Sequence, residues 1–161
     1  MDMVKKMYPS LPIYGVGLSL GGATAYHLSR KYPKMFDGTV LMAPALTPPP
    51  ELIGKFNTVS TVLGVLSFFL PSHLKIGTIK VSDNCRNIKY EEYCNNDQYF
   101  QQDRVKLGTL ISLRELLGES KETFKDYDQP FMVIHGGCDK IVDPQVAFDL
   151  YSMTKTPEKD K

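Results

Sequence analysis

The sequence predicts an α/β fold in which helices flank a parallel sheet. Three short apolar runs bounded by glycine or proline carry this prediction: PIYGVG (12–17), GTVLMAPAL (38–46) and PFMVIHGG (130–137). Their interiors do not alternate polar and apolar residues, which is typical of parallel strands buried on both faces. A helical pattern, LGGATAYHLSRKYP, separates the first two runs and stops at Pro33. A strand, a helix and a second strand form the unit that builds a parallel sheet.

Two more helices are predicted in the second half of the chain. The stretch LGTLISLRELLG has apolar residues at near-helical spacing and Gly118 as its stop. These apolar residues are Leu107, Leu110, Ile111, Leu113, Leu116 and Leu117. In VDPQVAFDLYSM, Asp143 is the expected N-cap and Pro144 the first helical residue. The buried stripe of this last helix is expected to consist of Val146, Ala147, Leu150 and Tyr151.

The changes in composition divide the chain into three parts. Residues 1–46 and 107–161 form the layered core, and 47–106 is an inserted cap that begins with the stiff TPPPE exit. The cap holds the longest apolar stretch, VSTVLGVLSFFL (59–70). As a helix it would be about 18 Å long, which is too short to span a bilayer. It is either a buried or half-buried helix or a lid that touches lipid.

Charge and cysteine content exclude several classes of function. The 161 residues carry a net charge of +1, and the 19 basic residues are scattered, which argues against a nucleic-acid partner. The three cysteines are odd in number and have no metal-ligand spacing, so neither a disulfide framework nor a zinc site is expected. No cofactor is predicted. No apolar run at the start indicates a signal peptide, and no N-glycosylation sequon is present, which favours the cytoplasm.

A serine set between glycines is the strongest chemical signal. Residues 17–21 read Gly-x-Ser-x-Gly, with a predicted strand before Ser19 and a helix after it. A serine on such a sharp turn projects its hydroxyl above the sheet edge, and the flanking glycines relieve crowding. The N–H of Leu20 would then face a developing oxyanion. The alternatives are Ser19 as an ordinary N-cap, and a phosphate loop, which Ala23 disfavours because that motif needs lysine there.

Long stretches of the chain resemble the α/β-hydrolase fold, and within it the monoacylglycerol lipase and lysophospholipase group. They are YPSLPIYGVGLSLGGATAYHLSRKYPKMFDGTVLMAPAL, FLPSHLKI and QPFMVIHGGCDKIVDPQVAFDLY. The resemblance implies Ser19 as nucleophile and Asp139 as the acid that orients a histidine. Asp143 competes with Asp139 for that role, but it already has a cap role beside Pro144. Leu20 stands where the family usually has methionine, and either residue supplies the same N–H.

Two parts of the family's machinery are missing from the sequence. The family runs in the order serine, acid, histidine, and no histidine follows Asp139. His27 is expected on a helix and His73 in the cap, and His135 ends a strand, where a structural role is expected. No His-Gly loop precedes the first strand to complete the oxyanion hole. We therefore expect an incomplete hydrolase whose catalytic histidine lies beyond Lys161.

Three functions are compatible with the sequence. The first is hydrolysis of carboxylic esters of lipid-like substrates, monoacylglycerols or lysophospholipids, through an acyl-enzyme on Ser19, with peripheral membrane contact through the cap. The second is a non-catalytic relative that binds a lipid, or a protein that covers its exposed sheet edge. The third is hydrolysis of small acyl or peptide substrates by the same residues.

Overall fold

A computed structural model of the chain describes residues 2–47, 58, 61–62, 64–65, 69–75, 87–100 and 105–161. Within these residues, the strands of one parallel sheet alternate with helices along the chain. The elements in chain order are α1 (Asp2–Met7), β1 (Tyr14–Leu18), α2 (Leu20–Lys31), β2 (Gly38–Met42), α3 (Ile88–Asn96), α4 (Leu107–Ser120), a 3₁₀ helix (Lys121–Asp126), β3 (Phe131–Ile134), α5 (Gln145–Met153) and a second 3₁₀ helix (Glu158–Asp160).

The three predicted strands form one parallel sheet in the order β1-β2-β3. Their carboxyl ends are in register, because Leu18 pairs with Met42 and Met42 pairs with Ile134. Helix α2 connects the first two strands. It ends at Lys31, and Tyr32 and Pro33 follow it. The α/β class and the strand-helix-strand unit are thus confirmed.

One face of the sheet carries the hydrophobic core. Helices α2 and α5 pack on this face, and residues from both 1–46 and 107–161 meet there. A buried hydroxyl network lies within it: the Tyr127 hydroxyl is 2.8 Å from Ser29 Oγ and 3.3 Å from Thr39 Oγ1. Tyr26 pairs with Thr123 at 2.8 Å, and burial raises the pKa of Tyr26 to about 12. These hydrogen bonds tie α2 to β2 and to the 3₁₀ helix.

The opposite face of the sheet is exposed, which contradicts the prediction of strands buried on both faces. Tyr14, Val16 and Leu18 of β1 are 60–66% exposed, and Met132 and Ile134 of β3 are 57% and 48% exposed. The apolar runs correctly indicated strands, but α2 and α5 both pack on the other face, and no described helix covers this one. It is an uncovered apolar surface formed by β1 and β3.

Helix α4 continues past its predicted stop at Gly118. It runs to Ser120 and passes into the 3₁₀ helix, because Lys121 keeps helical backbone angles (φ −63°, ψ −37°). A glycine stop requires a left-handed residue, and none is adopted here. The continuation places Phe124 and Tyr127 in the core, where each is at most 1% exposed.

The last helix departs from the prediction at three residues, Pro144, Ala147 and Tyr151. Asp143 Oδ1 accepts the Gln145 N–H at 3.0 Å, so Asp143 has its predicted cap role. Pro144 has helical backbone angles, although the helix proper begins one residue later. Of the predicted buried stripe, Val146 and Leu150 are buried, Ala147 is half-buried, and Tyr151 is 39% exposed, with its hydroxyl donating to Glu158.

Half of the predicted cap helix at 59–70 lies outside the described residues. Of the six that are described, 61, 62, 64, 65 and 69 are helical and 70 is not, and Val62, Val65 and Phe69 are exposed. The segment 71–75 is tied to the start of α4 by the Leu107 N–H, which donates to the Leu74 carbonyl at 2.8 Å. Within the described part of the chain, no helix is long and apolar enough to cross a bilayer.

Candidate active site

Ser19 occupies a strained turn between β1 and α2. Its backbone angles are φ 53° and ψ −117°, in the left-handed half of the map that residues with a Cβ rarely adopt. Such a conformation costs about 1–3 kcal/mol and persists only where neighbours impose it. Three hydrogen bonds do so here: the Ser19 N–H donates to the Met42 carbonyl at 2.9 Å, and the Ser19 carbonyl accepts from Ala23 and Ala45 at 3.1 and 3.0 Å.

The glycines around Ser19 do not contribute equally to this turn. A Cβ on Gly17 would lie 2.2 Å from the Gly21 carbonyl oxygen, a distance that real atoms do not tolerate. A Cβ on Gly22 would lie 3.0 Å from Pro44, whereas one on Gly21 would meet nothing within 4 Å. Crowding is therefore relieved at Gly17 and Gly22. The expectation that Gly21 relieves it is wrong, because Gly21 contributes the carbonyl that Gly17 must accommodate.

The Ser19 hydroxyl is not used as a helix cap. Ser19 is the N-cap residue of α2 by position, but its side chain makes no capping hydrogen bond. The alternative of an ordinary N-cap serine therefore loses its physical basis. Leu20 is the first helical residue, and among the described residues no acceptor takes its N–H. The hydroxyl and this N–H are both available at the helix N-terminus, where negative charge is favoured.

Asp139 lies in the loop after β3, and its two carboxylate oxygens have different surroundings. Oδ1 accepts the N–H groups of Ile141 and Val142 at 2.8 and 3.1 Å. Oδ2 is 3.4 Å from Nε2 of His135, and the Asp139 side chain is 22% exposed. The backbone thus saturates one oxygen and leaves the other available to an imidazole.

Sequence reasoning missed the contact that His135 makes with Asp139. The His135 side chain is 4% exposed, and its Nε2 is also 3.3 Å from the Val142 carbonyl. Its Nδ1 is buried and has no partner among the described residues. The available signal was the spacing His-Gly-Gly-Cys-Asp at the end of a predicted strand, because a glycine-rich turn of that length can fold back on itself.

The turn around Ser19 (residues 17–22, the serine elbow) and the loop that holds Asp139 (residues 135–142, the acid loop) lie at the same edge of the sheet. Ser19 follows β1, and the Ala43 N–H at the end of β2 donates to the Ile134 carbonyl at 2.7 Å, immediately before His135. Neighbouring strands are about 4.8 Å apart, so β1 and β3 are separated by about 10 Å across β2. One imidazole with a hydrogen bond on each side can bridge a gap of that order.

The other two histidines, His27 and His73, belong to other parts of the chain. His27 is on α2, eight residues after Ser19, which is about 12 Å along the helix axis. Its Nε2 is 2.9 Å from Ser120 Oγ, so it packs against the end of α4. His73 is exposed in the segment 71–75.

The family model described as serine aminopeptidase, S33 matches all of residues 1–161. The chain belongs to this serine hydrolase family. It is 28% identical to human monoglyceride lipase over 159 residues and 27% identical to the rat protein over 161 residues. These matches cover 99% and 100% of this chain but 52% of each relative, so the chain spans about half the length of the curated relatives it matches.

Solved structures confirm the predicted α/β-hydrolase fold. The monoacylglycerol lipase of Paleococcus ferrophilus superposes with a TM-score of 0.77 at 20% identity, covering 99% of this chain and 60% of that one. A soluble variant of Saccharomyces cerevisiae monoglyceride lipase, solved with a substrate analog, gives 0.74 at 15% identity, covering 98% and 54%. The resemblance to monoacylglycerol lipases that the sequence indicated is confirmed.

Proposed function

We propose that this chain carries the nucleophile and the acid of a serine hydrolase that cleaves carboxylic esters of lipid-like substrates, monoacylglycerols or lysophospholipids. The observation that carries the proposal is the strained backbone of Ser19, whose hydroxyl makes no capping bond. Strain held by three backbone hydrogen bonds is the property expected of a residue placed for chemistry. The monoglyceride lipases among the relatives support the lipid ester as substrate class.

The reaction follows from the roles of four groups. Ser19 Oγ attacks the ester carbonyl carbon while a histidine takes its proton, and the Leu20 N–H donates to the oxyanion. The carbon–oxygen ester bond then breaks, and the alcohol leaves with the proton from the histidine. Water attacks the acyl-enzyme by the same route and releases the carboxylic acid. Asp139 Oδ2 accepts from the histidine and stabilises its protonated form.

The histidine base is proposed to come from outside the 161 residues. His135 has Nε2 against two oxygen acceptors and a buried Nδ1, so neither nitrogen is presented to Ser19. His27 is engaged with Ser120. A second donor to the oxyanion is also required from elsewhere, because Leu20 supplies one N–H.

Added imidazole can substitute for the missing base and so test Ser19 in the chain itself. We expect hydrolysis of monooleoylglycerol to rise with imidazole concentration in the wild-type chain. Ser19→Ala should show no such rise, whereas Ser112→Ala, an exposed serine on α4, should behave as wild type. Imidazole-dependent hydrolysis that is equal in wild type and Ser19→Ala would contradict the assignment.

The exposed sheet face favours a second candidate, a non-catalytic relative that binds a protein partner. Val16 and Leu18 present 66% and 64% of their surface on that face, where parallel sheets are normally covered. This candidate predicts a chain that unfolds cooperatively and shows no Ser19-dependent hydrolysis, with or without imidazole. Denaturant unfolding followed by fluorescence, beside the imidazole assay, separates the two candidates.

We also infer that the cap contacts a membrane surface peripherally. Within the described residues of the apolar stretch, Val62, Val65 and Phe69 are 52%, 54% and 81% exposed. Apolar side chains at this level of exposure on a helical segment fit an interfacial anchor for an enzyme whose substrate is lipid.

A further inference from the structure

We propose that His135 is a positioning residue that holds the Asp139 carboxylate in the orientation required to accept from a histidine base. The proposal rests on the role proposed for Asp139. In this proposed role, His135 touches neither the substrate nor Ser19. Its ring acts on the acid loop, by fixing which carboxylate oxygen is directed at the base.

The surroundings of the His135 ring determine its hydrogen-bonding state. Nε2 has two neighbours, the Val142 carbonyl at 3.3 Å and Asp139 Oδ2 at 3.4 Å. Both are acceptors, so Nε2 must carry the proton. Nδ1 is buried without a partner, and a bare lone pair is the less costly group to leave there than an N–H. The geometry therefore selects the Nε2–H tautomer.

The same ring closes the acid loop at both of its ends. His135 follows β3 directly, and its Nε2 reaches Val142, seven residues further along the chain. Asp139 Oδ1 accepts from Ile141 and Val142, which fixes one oxygen but leaves the carboxylate free to rotate about that anchor. The shared Nε2–H near Oδ2 opposes this rotation. With the ring 4% exposed, the contact is protected from competition by water.

Two variants separate this role from packing. His135→Phe keeps a buried ring but removes the donor, and His135→Gln keeps an N–H near the position of Nε2. If His135 positions the carboxylate, the phenylalanine variant should loosen the hydrogen bonds that Ile141 and Val142 donate to Asp139. The glutamine variant should restore them.

Amide hydrogen exchange of the chain measures this loosening residue by residue. We expect exchange at Ile141 and Val142 to accelerate about 3- to 10-fold in His135→Phe, the effect of losing one hydrogen bond, with Leu41 in the core unchanged. In His135→Gln both amides should exchange as in wild type. Equal acceleration at Leu41, or no acceleration at the two loop amides, would show that the ring only packs.

A measurement on the wild-type chain guards against a variant that does not fold. Two-bond proton–nitrogen correlation of the His135 ring at pH 8 should show a protonated Nε2, and a proton on Nδ1 instead would overturn the proposal. None of these measurements depends on hydrolysis. If the imidazole assay shows no Ser19-dependent hydrolysis but exchange at the loop amides accelerates in His135→Phe, only the proposed hydrolase function is refuted. If hydrolysis depends on Ser19 but exchange at these amides is unchanged, only the positioning role is refuted.

Discussion

The glycines of the serine elbow should differ sharply in their tolerance of alanine. In Gly17→Ala the new methyl would lie 2.2 Å from the Gly21 carbonyl oxygen and 2.6 Å from the Gly22 nitrogen. Since ordinary contact begins near 3.4 Å, strand and helix must separate by about 1 Å. Both obstacles are backbone atoms, so no side-chain rotation relieves the overlap, and Ser19 must move with them.

The expected loss follows from the cost of overpacking a rigid site. Inserted methyl groups cost typically 1–3 kcal/mol, and a clash with backbone on two sides should reach about 3 kcal/mol. For a chain of this size that corresponds to a fall in Tm of about 6–12 °C. Gly22→Ala, with contacts of 3.0 Å to Pro44, should cost about 1 kcal/mol. Gly21→Ala meets no atom and should gain up to about 1 kcal/mol of helix propensity.

Urea unfolding of the three single variants beside wild type tests this order. The free energy of unfolding should fall most for Gly17→Ala, less for Gly22→Ala and not at all for Gly21→Ala. Gly21→Ala is the matched control, because it adds the same methyl to the same motif. If Gly17→Ala and Gly21→Ala proved equally destabilised, the loss would come from the motif in general, and the steric reasoning would be refuted.

Three further predictions follow from the acid loop, the core and the cap. Asp139→Asn should lower imidazole-rescued hydrolysis by up to about 10⁴-fold, whereas Asp143→Asn, an equally good cap, should stay within a few-fold; equal losses would contradict the choice of acid. The folded-state pKa of Tyr26 is raised to about 12, so the free energy of unfolding should fall by about 2 kcal/mol between pH 10 and 12, and Tyr26→Phe should remove that contribution. Phe69→Ser should weaken flotation with anionic phospholipid vesicles, and Phe148→Ser, an equally apolar exposed position on α5, should not.

The local features of the fold could be predicted from the sequence. Short apolar runs bounded by glycine and proline indicated the strands, Pro33 marked the end of α2, and Asp143 was identified as a cap. Each of these is decided within a few residues of the chain by backbone sterics and by nearby hydrogen bonds. The motif at residues 17–21 placed Ser19 between a strand and a helix for the same reason.

Contacts between distant segments decided what the pattern could not. Gly118 continues a helix because Phe124 and Tyr127 are buried against α2, and the sheet face of Val16 is exposed because both packed helices lie on the other side. The same apolar run is expected whether a strand is covered on one face or on both, because the pattern indicates the strand and not what packs against it.

The site shows the same division between local and distant causes. The sequence by itself determined that a serine would stand on a glycine turn and that an aspartate would follow the third strand. Only the tertiary structure decided that Ser19 is held in a strained conformation by hydrogen bonds to the Met42 carbonyl and from the Ala45 N–H, and that Asp139 lies against His135. The first pair of facts depends on neighbours in the chain. The Ser19 hydrogen bonds depend on strands that the sheet brings into register, whereas the contact between His135 and Asp139, four residues apart, depends on how one loop folds back on itself.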